Sequence, residues 1–377
     1  MTHRPPLPPT AFTLPARFYT DPALFAREQE IFFRGMWTSV GRIDDIPTVG
    51  SYIVRSIAGD SIIIVRATDT TIRAHYNVCR HRGTTLCTES HGQLNGSIQC
   101  PYHAWTYGYD GALVGAPHMD GTPHFRKSDF PLKSVRAAVW EGFLWVNASN
   151  SGPSLSEQLA DLPDKFAPWR MSDLRRGAVL EYDIPANWKL ILQNFSECLH
   201  CPNLHPVLNK LSHYLSGENE PLRPTYMGGR MDLSPGVETM SMDGSRSCEY
   251  LPALTAEEKR RVYYYAIFPN LLISAHPDYV MVHTLWPIAH DRTKLVCEFL
   301  FQPSEIEKGL DTKAILEFWD MTNKQDWFVC ELAQQGISSR GYTPGPYSNR
   351  EELLYAFDQF IVNRLEDDGL KERPPSS

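Results

Sequence analysis

The sequence has little of what would tie it to a membrane, a nucleic acid or an oxidised extracellular scaffold. Its longest apolar runs, such as 61–65 and 263–268, fall far short of the ~18 residues a spanning helix needs, and the opening MTHRPPLPPTAF has no apolar signal core. Basic residues do not predominate. Against 44 Asp and Glu there are 36 Lys and Arg, and the net charge of −8 repels a phosphate backbone, so no nucleic-acid partner is expected. Eight cysteines in 377 residues are too few for a disulfide framework; in a reducing compartment, cysteine set beside histidine points to metal. No Gly-x-Gly-x-x-Gly or phosphate-loop pattern is present to bind NAD(P)H or flavin, and no His-Glu-x-x-His helix suggests a zinc protease. A cytoplasmic globular chain with no membrane association is expected, and its length suffices for two cores.

The pattern along the chain divides it in three. Residues 1–37 begin with a proline-rich extended arm over 5–15, followed by a helix from about 21 to 32 with Asp21 as cap and Pro22 at its first position. Residues 38–150 read as short strands at 51–56, 61–66, 97–100 and 139–146 between Gly, Asp and Asn turns, a small all-β domain. The polar stretch 149–154 suits a boundary. Residues 151–377 mix helices at 155–164, 188–199, 312–335 and 350–364 with strands at 261–275, 279–287 and 294–301, an α+β domain with helices set against an antiparallel sheet. The tail 372–377 looks frayed.

Two constellations carry chemistry. In the all-β region, Cys79-x-His81 and Cys100-x-x-His103 are two short fingers at strand ends, separated by residues 82–99. Two thiolates and two imidazoles could hold zinc tetrahedrally, or a [2Fe-2S] cluster with the thiolates on one iron and the imidazoles on the other; the spacing alone favours neither. Cys87, inside the spacer, reads as a small packing residue. In the C-terminal region, Glu197 and His200 are three apart in an apolar-periodic segment and share one helix face, while His205 reaches the same metal only if the helix breaks, for which Pro202 is the candidate. A di-iron bundle would need a second Glu-x-x-His, and there is none. Two imidazoles plus one carboxylate is the set that holds Fe(II) while leaving positions open for oxygen and substrate.

With Arg82-Gly83 after the first finger, Pro101 inside the second and His103-Ala104-Trp105-Thr106-Tyr107 following, the first block resembles the cluster motif of the Rieske non-haem iron oxygenases, with a spacer slightly longer than usual, an extra residue most easily placed in the turn 89–96. Residues Asn187-Trp188-Lys189 through Glu197-x2-His200-x4-His205-Pro206 resemble the mononuclear-iron motif of the same family. The resemblance implies an N-terminal Rieske domain before a catalytic domain with a helix-covered antiparallel sheet of START-like helix-grip type. It assigns Cys79 and Cys100 to one cluster iron, His81 and His103 to the exposed one, and His200, His205 and Asp326 to the mononuclear iron, with Asp320 as the nearest rival carboxylate. Glu197 matches a carboxylate, more often Asp, that the family places between its two metal centres, where it is expected to hold His200 and to meet His103 of a neighbouring subunit. Gln193 stands where the family often has Asn, an accessory position near the iron.

The resemblance further implies a monooxygenase or dioxygenase using O2 with electrons from a separate NAD(P)H-dependent flavin/iron-sulfur reductase, assembled as a homotrimer. The segments 318–323, 335–339 and 342–348 and the strand 279–287 are similar to the branch oxidising glycine betaine and choline. An N-methylated quaternary ammonium substrate calls for a cage of aromatic faces, with Phe195, Tyr263, Tyr265, Phe268 and Trp286 as candidates. The alternatives are an aromatic-ring hydroxylase with an apolar pocket and a non-catalytic Rieske electron carrier, which would need only the first domain.

Overall fold

The computed structural model describes residues 6–221 and 223–367, so the 372–377 tail and the first residues of the arm lie outside the described residues. The chain forms two compact units, Phe32–Gln158 and a second assembled from residues 6–31 with 159–367. No helix of the described residues is long and apolar enough to cross a membrane.

The first unit is all β. Its larger sheet has the order Thr38–Arg42, Phe143–Asn147, Ser134–Trp140, Ile72–Tyr76, Asp60–Arg66, Ser51–Ile57 and His91–Gln93, every pair antiparallel. Four successive residues of Asp60–Arg66, Ile62 to Val65, are fully buried, as a strand covered on both faces requires. A small three-stranded sheet, Ile98–Gln99, Thr106–Tyr107 and Leu113–Gly115, carries the Cys100-x-x-His103 finger between its first two strands.

The second unit is built on a seven-stranded antiparallel sheet in the order Arg175–Ile184, Arg292–Phe301, Val280–Ala289, Leu271–Ala275, Arg261–Ile267, Tyr226–Asp232 and Glu218–Asn219. The helices Trp188–Phe195, Lys313–Ile337 and Glu352–Asp367 pack against it. The expected single strand over 261–275 is two strands. The chain reverses at Phe268, Pro269 and Asn270 so that Ile267 faces Leu271; the apolar run continues through the turn and masks it, while Pro269 cannot donate to a ladder. The segment expected to be helical over 155–164 breaks at Ala160, which has φ of +51°, into Leu155–Leu159 and Leu162–Phe166.

The arm belongs to this second unit. Phe12 bridges Pro346, and Thr13 N–H donates to Gly345 O at 2.9 Å. Asp21 caps Pro22–Glu28 by accepting from Ala23 N–H at 2.8 Å. At that helix's end Glu28 receives Lys189 Nζ at 2.7 and 2.8 Å and Trp188 Nε1 at 2.9 Å, with the Glu28 and Lys189 side chains wholly excluded from solvent. Breaking a buried pair from one side strands the other charge, at about 3–5 kcal/mol. Glu28→Ala is therefore expected to lower the thermal midpoint of this unit by roughly 10 °C, with Glu28→Gln milder because it keeps an acceptor. A calorimetric scan of both variants checks this, and an unchanged Glu28→Ala midpoint would refute it.

Candidate metal centres and the cavity beside them

The two fingers of the β unit share one backbone design. Gly83 N–H donates to Cys79 O at 3.0 Å and Ala104 N–H to Cys100 O at 3.1 Å; Cys79 N–H donates to Thr84 O and Cys100 N–H to Trp105 O, both at 2.8 Å. Gly83 and Ala104, each four residues after its cysteine, both have positive φ, +76° and +57°. For alanine this is a strained conformation, held here by the finger's own hydrogen bonds. The thiols of Cys79 and Cys100 are buried in one apolar cluster with Leu86, Trp105, Tyr107 and Leu132, and Cys87 packs in the same cluster. His81 is exposed and His103 partly so. Their rings lie 4.8 Å apart, and His81 stacks on Trp105 at 4.7 Å. Tyr107 Oη lies 3.3 Å from Cys79 Sγ and accepts from Arg80 N–H at 3.0 Å. Paired thiols inside and paired imidazoles outside suit a cluster with two unlike irons better than a single tetrahedral ion.

The mononuclear site departs from the expected continuous helix. Asn187 caps Trp188–Phe195 by accepting from Lys189 N–H at 3.0 Å, and the helix stops where Ser196 Oγ donates back to Leu192 O at 2.7 Å. Glu197 and His200 therefore lie in a turn, not on a helix face, and Pro202 opens the next short helix, Cys201–Leu204, instead of breaking the first. A disulfide joins Cys198 to Cys201 across this turn. The turn still brings the side chains together: Glu197 Oε1 lies 2.5 Å from His200 Nδ1, and its other oxygen accepts from Leu199 N–H.

From the helix Lys313–Ile337, Asp326 Oδ1 approaches His205 Nε2 at 2.7 Å and His200 Nε2 at 3.4 Å. One ligand atom from each of the three lies within 4.8 Å of the others. Each imidazole has its Nδ1 held, His200 by Glu197 and His205 by Gln325 Oε1 at 2.7 Å, which turns both Nε2 atoms toward Asp326. Burial opposes a charge on His200, but the Asp326 and Glu197 carboxylates outweigh it and raise its pKa to about 10. Burial likewise opposes ionisation of Asp326, and the two histidines reverse the effect and lower its pKa. Such a pocket favours positive charge, and the donor set fits Fe(II). Asp320 is occupied elsewhere, by Lys324 Nζ at 2.6 Å and Tyr182 Oη at 3.0 Å. Gln193 does not face this site: it is buried between Tyr19 Oη and Asp358 Oδ1, its amide 2.6 Å from the latter, and its place is structural.

A cavity of about 140 Å³ opens onto the triad, smaller than the ~300–1,000 Å³ of drug-sized sites. Among its lining residues are Phe195, Tyr264, Ser274, Met281, His283 and Trp327. The rings of Phe195 and Trp327 each meet His283 edge-on at 6.1 Å, and Phe195 meets Tyr264 at 6.1 Å. Burial lowers the His283 pKa to about 4, so at neutral pH it is an uncharged aromatic wall. Of the five aromatics expected to form a cage, only Phe195 lines the cavity. Tyr263 and Tyr265 are on the opposite face of their strand, against Trp169 at 5.0 Å and Phe166 at 5.1 Å, and Tyr264 between them faces in. Phe268 packs on Phe357 and Phe360, and Trp286 is not among the lining residues. Residue period identifies alternating faces in a strand but not which one looks at the site.

Residues 171–367 match the family described as the ring hydroxylating alpha subunit, catalytic domain, and residues 36–126 match the Rieske [2Fe-2S] domain. The chain belongs to the Rieske non-haem iron oxygenases. It is 32% identical to the glycine betaine monooxygenase oxygenase subunit of Chromohalobacter salexigens, over 90% of this chain and 83% of that one. It is 30% identical to the carnitine monooxygenase oxygenase subunit of Escherichia coli (strain K12), over 89% and 87%. Among solved structures, a quaternary ammonium Rieske monooxygenase shares the fold with a TM-score of 0.78 at 24% identity, covering 96% of this chain and 99% of that one. This oxygenase thus uses a Rieske cluster, a mononuclear iron and O2, acts on a small molecule and draws electrons from a separate reductase.

Proposed function

We propose that this oxygenase hydroxylates an N-methyl carbon of a small quaternary ammonium compound of the glycine betaine type, in a homotrimer, with Cys79, His81, Cys100 and His103 holding the cluster and His200, His205 and Asp326 the mononuclear iron. The observation that carries the reading is the wall of the cavity beside the triad: the aromatic side chains of Phe195, Tyr264 and Trp327, closed by a neutral His283. A quaternary ammonium offers no N–H to donate, so ring faces are the side chains suited to hold it. The named activities of the relatives, on glycine betaine and on carnitine, support the same class, and the inter-subunit electron transfer described for a solved relative supports an oligomer.

When bound, the iron and the cluster supply oxygen activation and electrons. The protein's own residues set the geometry. Glu197 and Gln325 fix the two imidazoles through their Nδ1 atoms, and the aromatic wall keeps water from the methyl group and leaves it facing the triad. The balanced reaction is R–N(CH3)3+ + O2 + two electrons + two protons giving R–N(CH3)2CH2OH+ + H2O; the hydroxymethyl product then releases formaldehyde, a proton and a tertiary amine. Aerobic turnover with a reductase and glycine betaine, carnitine, choline and an aromatic acid tests this. One formaldehyde is expected per O2 consumed for an N-methylated cation. A cis-diol from the aromatic acid, with no formaldehyde from any cation, would make the chain a ring hydroxylase.

A further inference from the structure

Buried polar side chains without a hydrogen-bond partner are few in native proteins, and each asks for an explanation. Among the described residues of the catalytic unit six side chains carry such atoms, and four of the six line the one cavity beside the triad: Tyr264 Oη, Ser274 Oγ, both ring nitrogens of His283, and Trp327 Nε1. Ser274 is wholly buried, and His283 and Trp327 nearly so. Two of them form a built pair. Tyr264 and Ser274 are direct cross-strand partners between Arg261–Ile267 and Leu271–Ala275, on the same face of the sheet. Directly opposed residues have Cβ atoms ~5 Å apart, yet these two hydroxyls do not bond to each other. Each retains a proton to donate, and both side chains line the same cavity. His283, two residues from the Met281 that pairs with Ser274, meets Trp327 at 6.1 Å, and Trp327 follows Asp326 in the chain. The cavity thus combines aromatic rings with two unpartnered hydroxyls, and the Phe195 ring meets those of both Tyr264 and His283 at 6.1 Å. Arg230, which also lines it, is engaged by Glu218 at 2.7 Å and Asp232 at 3.1 Å.

We propose that Tyr264 and Ser274 are a specificity-determining pair, donating hydrogen bonds to an acceptor group, carboxylate or hydroxyl, carried by the substrate beside its N-methylated cation. The inference rests on the proposed N-methyl chemistry of this site and adds to it that a bare tetraalkylammonium is a poor ligand.

The test separates charge from oxygen. Dissociation constants are measured by calorimetry on the anaerobic holoenzyme, where no turnover occurs, for four probes: glycine betaine (cation and carboxylate), choline (cation and hydroxyl), tetramethylammonium (cation alone) and 3,3-dimethylbutanoate (carboxylate on a neutral carbon frame). They are compared in the parent, Tyr264→Phe, Ser274→Ala and the double variant. Tyr264→Phe keeps the ring face and Ser274→Ala removes a single atom, and retained thermal midpoints show that the fold is intact. The expected result is that each variant weakens whichever oxygen-bearing cation the parent binds by about ten- to a hundredfold, with tetramethylammonium changed less than about twofold, and that KM rises for the same substrate more than kcat falls. Equal losses for all four probes, no loss for any, or no binding of either oxygen-bearing cation or of dimethylbutanoate by the parent would overturn the pair's role. If dimethylbutanoate binds as tightly as glycine betaine and suffers the same loss in the variants, the hydroxyl pair stands and the ammonium reading falls.

Discussion

Asp326→Ala is expected to leave a red-brown protein that has lost its mononuclear iron and with it turnover. The parent, by the ligand sets above, carries about three irons per chain, two in the cluster and one in the catalytic unit; the variant keeps two and an unaltered visible spectrum. The size of the effect follows from what Asp326 does. It is the only carboxylate in the group of three, with Oδ1 2.7 Å from His205 Nε2 and 3.4 Å from His200 Nε2. Without it two imidazoles remain, a set that neither balances a divalent charge nor completes a facial triad. Loss of a partner that merely orients a ligand already costs about 10–100-fold in metal affinity, so loss of the ligand itself should exceed a hundredfold in both iron content at limiting metal and kcat/KM. His205→Ala should behave alike. Asp320→Ala should not, since Asp320 is tied to Lys324 and Tyr182 away from the histidines. Iron quantitation beside the cluster spectrum decides the matter: a third iron retained in Asp326→Ala and lost in Asp320→Ala would transfer the role to Asp320.

The proposed ligand set stands out in the sequence because metal chemistry constrains residue type and spacing together: Cys79-x-His81 with Cys100-x-x-His103, and Glu197-x2-His200-x4-His205, are patterns that few other roles demand, and the structure brings His200 and His205 to Asp326. What lay beyond the ligands was less legible, for reasons that differ. Tyr263, Tyr264 and Tyr265 are consecutive aromatics on one strand, and a reading one residue out of register reverses inside and outside. Gln193 and Asn194 are adjacent on a helix, yet only Asn194 borders the cavity; Gln193 turns to Tyr19 and Asp358, partners brought from opposite ends of the chain. The helix over 188–199 ends four residues early, at Phe195, with Ser196 bonded back to Leu192, and Cys198–Cys201 spans the turn that carries His200. Gln325, which orients His205, carries no motif of its own; its one signal is adjacency to Asp326, so that neighbouring side chains on one helix serve the ligand and the ligand's support.

Glu197→Gln separates an orienting role from a ligating one. Glu197 stands outside the group of three that could hold the ion, and its carboxylate is committed through Oε1 to His200 Nδ1 and through the second oxygen to Leu199 N–H. A carboxylate has about four acceptor sites, so two remain open, and the side chain keeps 15% of its surface exposed. It is thus reachable by a further donor from outside the unit while it holds a ligand from inside, the geometry expected of a residue that couples an incoming electron to His200. Glutamine preserves length and one acceptor oxygen, but its amide nitrogen cannot accept, so either His200 or Leu199 loses its partner, and the negative charge that draws a proton toward Nδ1 disappears. With iron supplied in excess, iron content should stay near normal, since His200, His205 and Asp326 are all retained, while affinity at limiting metal falls by at most the roughly 10–100-fold of a lost orienting partner. Chemical reduction of the cluster should be normal too, because its four proposed ligands lie in the other unit. Reoxidation of the reduced protein by oxygen in the presence of substrate, followed by stopped-flow absorbance, should slow by about 10–100-fold. Should Glu197→Gln instead shed its mononuclear iron while the sites that remain loaded reoxidise at the parent rate, Glu197 would be a ligand and the coupling role would be lost.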